Sequence, residues 1–183
     1  MDVIVDLAII GGGINGCGIA ADATLRGLSV VLIEKDDIAS KTSSSSTKLI
    51  HGGLRYLEHY DFSLVKKALN ERQTLFEIAP HLVHPLSIVL PYKKSLRPAW
   101  WLRVGLFLYD HLSRKNTLPR SRYIQRNQEP LYFLPLSKEY NKGFLFYDGV
   151  TNDARLTMAN ALQASEHGAS IRPNTALIKA EIK

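Results

Sequence analysis

At 183 residues, 45% hydrophobic and 22% charged, the chain is long enough for a real core and excludes a disordered or fibrous class. Its one cysteine, Cys17, excludes an internal disulfide and fits a reducing compartment, which favours the cytoplasm. The net charge of +6 suits an anionic ligand, an anionic membrane surface or nucleic acid, and no run is basic enough to choose among them.

Met1-Asp2 lacks a basic leader, so the first apolar run, Leu7-Ala8-Ile9-Ile10, reads as a strand and not a signal peptide. Gly11-Gly12-Gly13-Ile14-Asn15-Gly16 follows at once. Small residues then recur at helical spacing (Gly18, Ala20, Ala21, Ala23) until Gly27, and Cys17 among them reads as a packing residue. Val30-Val31-Leu32-Ile33 is a second strand, and it ends in Glu34, 18 residues after Gly16. Gly11 permits the tight turn, Gly13 lets a pyrophosphate approach the backbone, and Gly16 lets the helix pack on the strand. The helix N-terminus holds the phosphates, and Glu34 is placed to accept from ribose hydroxyls. The motif does not separate NAD from FAD.

Lys35 to Lys48 is polar and serine-rich, a loop by composition. It leads into Leu49-Ile50-His51-Gly52-Gly53-Leu54-Arg55-Tyr56-Leu57, where hydroxyls, a Gly-Gly pair, His51 and Arg55 look like the lining of a large polar ligand. Plainer readings stand beside this one. Lys48 and Arg55 read equally as solvated charges, Tyr56 and Leu57 as core, and His51 as a structural histidine.

Residues 62–79 predict a helix capped by Asp61 and ended by Pro80. Val65, Ala68, Leu69, Phe76 and Ala79 form its apolar stripe, with Arg72 on the same face. Seven of the eight prolines then fall between Pro80 and Pro135. Leu86–Leu90 predicts a strand. Trp100–Leu112 predicts a helix with Trp101, Leu108 and Leu112 on one side, too short to span a bilayer. With Trp100, Arg97, Arg103, Arg114 and Lys115 it reads either as an interfacial helix or as a core helix with a basic rim. Gly143–Asp148 predicts a strand. Asn152 or Thr151 caps a helix to about His167, stopped by Gly168, with Asp153 suiting the helix dipole and Arg155 pairing locally. Ala176, Ile178, Ala180 and Ile182 alternate with Lys179, Glu181 and Lys183, which predicts a final half-buried strand with no partner.

These motifs together resemble the N-terminal portion of the FAD-dependent glycerol-3-phosphate dehydrogenases of the aerobic, respiratory type. The resemblance rests on Ile10–Gly16, Gly18–Ala23, Thr42–Ser44 with Ser46–Leu57, and Glu58-His59-Tyr60. It continues through Leu96–Trp100, Gly105–Leu112 and Asp153-Ala154-Arg155-Leu156. It implies an α/β fold: a Rossmann-like FAD-binding domain of the glutathione-reductase/D-amino-acid-oxidase type, incomplete at the C-terminus. Residues 1–183 would form one such domain, with a Pro-rich insert at about 80–140 and the substrate domain largely absent.

The resemblance further implies oxidation of sn-glycerol 3-phosphate to dihydroxyacetone phosphate, with FAD as cofactor and electrons passed to quinone. Gly11, Gly13, Ile14, Asn15 and Gly16 would hold the pyrophosphate; Glu34 and Lys35 the adenosine ribose; Thr42, Ser43, Ser46, Lys48, Leu49, His51 and Gly52 the flavin end. Arg55 and Tyr56 would be the catalytic pair. No metal and no nucleic acid are expected. A cytoplasmic enzyme peripheral on the inner face of the membrane is implied, and a homodimer is left open. A related amine or amino-acid oxidase, or a non-catalytic nucleotide-binding remnant, are the alternatives.

Overall fold

The structure is a computed structural model that describes residues 4–93 and 98–181. In chain order, its strands are β1 (Leu7–Ile10), β2 (Val30–Ile33), β3 (Leu49–Ile50), β4 (Val83–Pro91), β5 (Arg122–Gln125), β6 (Lys142–Thr151) and β7 (Ser170–Arg172). The α-helices are α1 (Ile14–Leu25), α2 (Phe62–Ile78), α3 (Ala99–His111) and α4 (Asp153–Glu166). The chain divides into two compact units, 1–48 with 152–183, and 49–151.

In the first unit, β1, β2 and β7 form a parallel sheet in the order β1-β2-β7. α1 follows β1 and buries Cys17, Ala20, Ala21 and Ala23 in one core with Ile9, Val30 and Leu32 of the sheet and with Ala161 and Ala164 of α4. Small side chains on both helices allow that close approach. α4 begins on its cap Asn152, whose side chain accepts from the Arg155 N–H, and Gly168 follows at φ +98°. Cys17 is fully buried, as its packing role requires.

In the second unit, β6 is the spine. It pairs antiparallel with β3, β4 and β5. Its side chains alternate between two buried faces. Phe144 and Phe146 pack with Val65 and Leu69 of α2 and Leu106 and Tyr109 of α3, while Leu145 packs with Ile124 and Phe133. α2 is capped by Asp61, whose carboxylate accepts from the Leu64 N–H, and it buries Val65, Leu69 and Arg72 as its stripe requires.

Three expectations need correction. The strand expected at Leu86–Leu90 runs from Val83 to Pro91, taking in Pro85 and Pro91, which sit opposite Gly149 and Gly143. Prolines are tolerated here because, among the described residues, β4 pairs on one side only. On α3 the expected Leu108 and Leu112 do pack on the core beside the buried Leu106 and Tyr109, whereas Trp101 is 43% exposed, because tertiary packing centred the buried face on Leu106 and Tyr109. The strand expected from the alternation at 176–182 is absent among the described residues, and Ile178 is 97% exposed. Strand geometry needs a partner edge. Here the preceding Asn174 and Thr175 N–H groups turn back to the carbonyls of Asp36 and Glu34. Ile182 and Lys183, Leu96 and Arg97 lie outside the described residues.

Candidate functional site

The glycine turn leaves β1 at Gly11, whose φ of +112° favours glycine. A Cβ on Gly16 would stand 2.0 Å from the Gly11 carbonyl oxygen, so only glycine lets α1 start this close to the strand. Gly13 is the N-cap and places no side chain over the helix end. Ser43 Oγ accepts from the Ile14 N–H at 2.9 Å. The N–H groups of Asn15 and Gly16, in the first turn, have no intrahelical acceptor.

Glu34 closes the turn. Its Oε2 accepts from the Gly12 N–H at 2.6 Å and its Oε1 from the Asp36 N–H at 2.9 Å. These backbone donors, Asp36 first and then Gly12, hold its carboxyl below the usual carboxylate range. Each oxygen keeps a further lone pair for a hydroxyl. Lys35 is exposed beside it.

Thr42–Ser44 is a single 3-10 turn. The two serines singled out in this run have different surroundings. Ser43 lies on the glycine turn, while Ser46 Oγ donates to Asp153 Oδ2 at 2.8 Å. Lys48 Nζ joins the same carboxylate at 2.7 Å, so Lys48 is paired and not a free loop charge. Lys48 and then Ser46 hold the Asp153 carboxyl well below its ordinary range. Thr42 is exposed. Asp153 is the residue that sequence reasoning took for a dipole partner alone.

In the second unit, Gly52 and Gly53 carry the chain from β3 into a 3-10 segment, Leu54–His59. A Cβ on Gly52 would stand 2.4 Å from Leu69 Cδ2, and Gly53 adopts φ +73° with the Tyr56 ring packed against it. A cavity of about 530 Å³ opens here, lined by Leu49, His51, Arg55, Tyr56, His59, Phe146 and Asp148. His51, Arg55 and Tyr56 are exposed, and Leu57 is buried. Among the described residues no carboxylate pairs with Arg55. Sequence reasoning missed the support beneath this wall: Tyr109, Asp148 and Arg72, all buried and hydrogen-bonded together. The available signal was an arginine on the apolar stripe of α2 and an aspartate ending an apolar strand.

The family model for FAD dependent oxidoreductases matches residues 6–183. The chain belongs to the FAD dependent oxidoreductase family. It is 53% identical over 177 residues to a glycerol-3-phosphate dehydrogenase of Pseudomonas aeruginosa, covering 97% of this chain and 34% of that protein. It is 51% identical to a D-erythritol 1-phosphate dehydrogenase of Brucella abortus, covering 96% of this chain and 35% of that protein. Among solved structures, the glycerol-3-phosphate dehydrogenase of Bacillus halodurans complexed with FAD superposes with a TM-score of 0.67 at 31% identity, covering 98% of this chain and 28% of that one. A glycine oxidase of Bacillus cereus shares the fold at 22% identity and TM-score 0.67, with 98% and 50% of the two chains covered. The chain thus spans about a third of the length of the curated relatives it matches.

The fold is the FAD-binding fold of this family, and FAD is the family's cofactor. The residues of the first unit fit such a dinucleotide. The N-cap has no side chain, a Cβ on Gly13 would meet Ser43 Oγ at 3.0 Å, and Glu34 is fixed at the end of β2 with lone pairs to spare. Among the described residues, no helix is long and apolar enough to cross a membrane.

Proposed function

We propose that this chain is the FAD-binding portion of a flavin dehydrogenase that oxidises sn-glycerol 3-phosphate to dihydroxyacetone phosphate and passes the electrons to quinone. The observation that carries the reading is the cavity of about 530 Å³ in the second unit, where Arg55 stands without an acidic partner among the described residues beside His51, Tyr56 and His59. An unpaired guanidinium matches a phosphate bidentately.

In the first unit, Gly11, Gly13, Ile14, Asn15 and Gly16 would hold the pyrophosphate of FAD, and Glu34 with Lys35 its adenosine ribose. Thr42, Ser43, Ser46 and Lys48 would meet the flavin side, Lys48 with its charge already shared with Asp153. In the second unit, Leu49, His51 and Gly52 would do the same, and Arg55 with Tyr56 would hold and orient the substrate. FAD, when bound, supplies the two-electron oxidation of the carbinol carbon. Quinone as acceptor, peripheral membrane contact and a homodimer belong to the same proposal. Trp100, Trp101, Val104 and Phe107, all exposed on α3, support the membrane contact.

A polyol phosphate longer by one carbon is the second reading, favoured by the 51% identity to the D-erythritol 1-phosphate dehydrogenase. An amine or amino-acid oxidase has only the shared fold behind it. The test is the visible spectrum of the purified chain before and after anaerobic sn-glycerol 3-phosphate, D-erythritol 1-phosphate or glycine. Bleaching of the flavin bands by glycerol 3-phosphate alone supports the reading. Bleaching by glycine overturns it, and a flavin spectrum unmoved by all three leaves a nucleotide-binding portion without turnover.

A further inference from the structure

We propose that Tyr109 is a positioning residue for the cavity of the second unit, acting through the backbone N–H of Gly52, with Asp148 and Arg72 orienting its hydroxyl. The Gly52 N–H donates to Tyr109 Oη at 2.7 Å. Tyr109 Oη lies 2.8 and 2.9 Å from the two oxygens of Asp148 and donates its one proton to that carboxylate. Asp148 Oδ1 also accepts from Arg72 Nη1 at 2.5 Å, and Arg72 Nη2 donates to Asn116 Oδ1 at 2.9 Å.

The chain of contacts has one direction. Arg72, Tyr109 and Asp148 are 1%, 2% and 3% exposed, so no water competes for the phenol proton. Arg72 and Asp148 pin the far end. The phenol oxygen, polarised by donating to a carboxylate, is left as acceptor for a single N–H, that of buried Gly52. Gly52 has no freedom to move toward other partners, because Leu69 and the Tyr109 ring already occupy the space of a Cβ. His51 precedes it and Gly53-Leu54-Arg55 follows, so the height of the Gly52 peptide sets where His51 and Arg55 stand in the cavity wall.

A buried ion pair is poor value as a stabiliser, since apolar side chains of the same volume do as well. Here it ends on the wall of a ligand cavity, with Asp148 itself lining that cavity. That placement is what a positioning device requires. The inference rests on the reading of this cavity as the substrate end of the site.

The test is Tyr109→Phe in the FAD-loaded protein, with two readouts. Amide hydrogen exchange at Gly52 is expected to rise about tenfold, the loss of one buried hydrogen bond. Flavin reduction by saturating sn-glycerol 3-phosphate is expected to slow by about tenfold, with FAD content and half-saturation within about twofold. Val65→Ala hollows the core cluster that holds Tyr109 without removing any of these hydrogen bonds, and it is expected to leave both readouts unchanged. Unchanged exchange at Gly52, an unchanged reduction rate in Tyr109→Phe, or equal slowing by Val65→Ala overturns the inference. If Tyr109→Phe does not fold, Asn116→Ala, which frees one arm of Arg72, is expected to raise Gly52 exchange about threefold, and no rise overturns it. A wild-type flavin that the substrate fails to reduce removes the proposed function instead, and Gly52 exchange then still decides whether the relay exists.

Discussion

Glu34 grips the glycine turn it follows: its Oε2 accepts the Gly12 N–H at 2.6 Å, across 22 residues of chain. With the Asp36 N–H on the other oxygen, the ionised carboxylate is the form the fold favours, and its folded-state pKa lies below the ordinary 4.5. Asp153, held low by Lys48 and Ser46, acts in the same sense. The unfolded chain therefore binds more protons in the acid window, and stability rises with pH there. The expected outcome is an unfolding midpoint that falls as pH drops through these lower folded values, while the raised Asp148 carboxyl acts in the opposite sense at higher pH and is untouched by the variants. Thermal scans across that range check it, and Glu34→Gln with Asp153→Asn should flatten the fall.

Gly16→Ala places a methyl group 2.0 Å from the Gly11 carbonyl oxygen, a backbone atom that cannot rotate away. Overpacking of this kind costs about 1–3 kcal/mol or more. Denaturant unfolding should show that loss, together with a drop in bound FAD. A variant as stable as the parent would mean that α1 does not sit this close to β1.

Gly13→Val differs in kind. The space beside Gly13 is bounded by the end of one side chain, Ser43 Oγ at 3.0 Å, so the fold should survive with little loss. FAD content should fall to near zero, because the valine occupies the approach to the helix N-terminus. Flavin absorbance per protein, beside an unchanged far-ultraviolet dichroism spectrum, checks both halves.

Arg72→Met strands the Asp148 carboxylate in a buried site that burial already pushes toward its protonated form. Removing one partner of a buried pair costs about 3–5 kcal/mol. Arg72→Met with Asp148→Leu should recover much of it in urea titrations, since the replacements fill similar volume. Failure of the double variant to recover would show that the Tyr109 contact to Asp148 matters more than the pair.

Arg55→Ala should leave FAD bound, because Arg55 lies on the cavity of the second unit and makes no ion pair among the described residues. Reduction by sn-glycerol 3-phosphate should slow by about a hundredfold, the scale of a lost charged contact to phosphate. Rapid-mixing absorbance of the flavin band measures it. An unchanged rate would take Arg55 out of the site.

The local features were legible in the chain itself. Four small residues at helical spacing specified α1, Asp61 and Asn152 capped the helices expected of them, and Gly11 and Gly16 stood where a turn and a close approach demand glycine. Each depends on residues a few positions apart, where backbone sterics and periodicity decide. The alternation from 176 forms no strand among the described residues for the complementary reason: alternation states which side chains could share a face, and it does not supply the partner edge that a strand needs.

The long-range partners were decided elsewhere. Ser46 reaches Asp153 across 107 residues, and Arg72 reaches Asp148 across 76. Nothing local marks Asp153 as the anchor of Lys48, or Tyr109 as the support of Gly52. By itself the sequence determined the glycine turn, the acid that ends β2 and the helices with their caps, since those follow from chain geometry over a turn or two. Only the tertiary structure decided which buried charges meet and which serine faces the turn, because sheet register and helix packing choose partners that sequence distance leaves open.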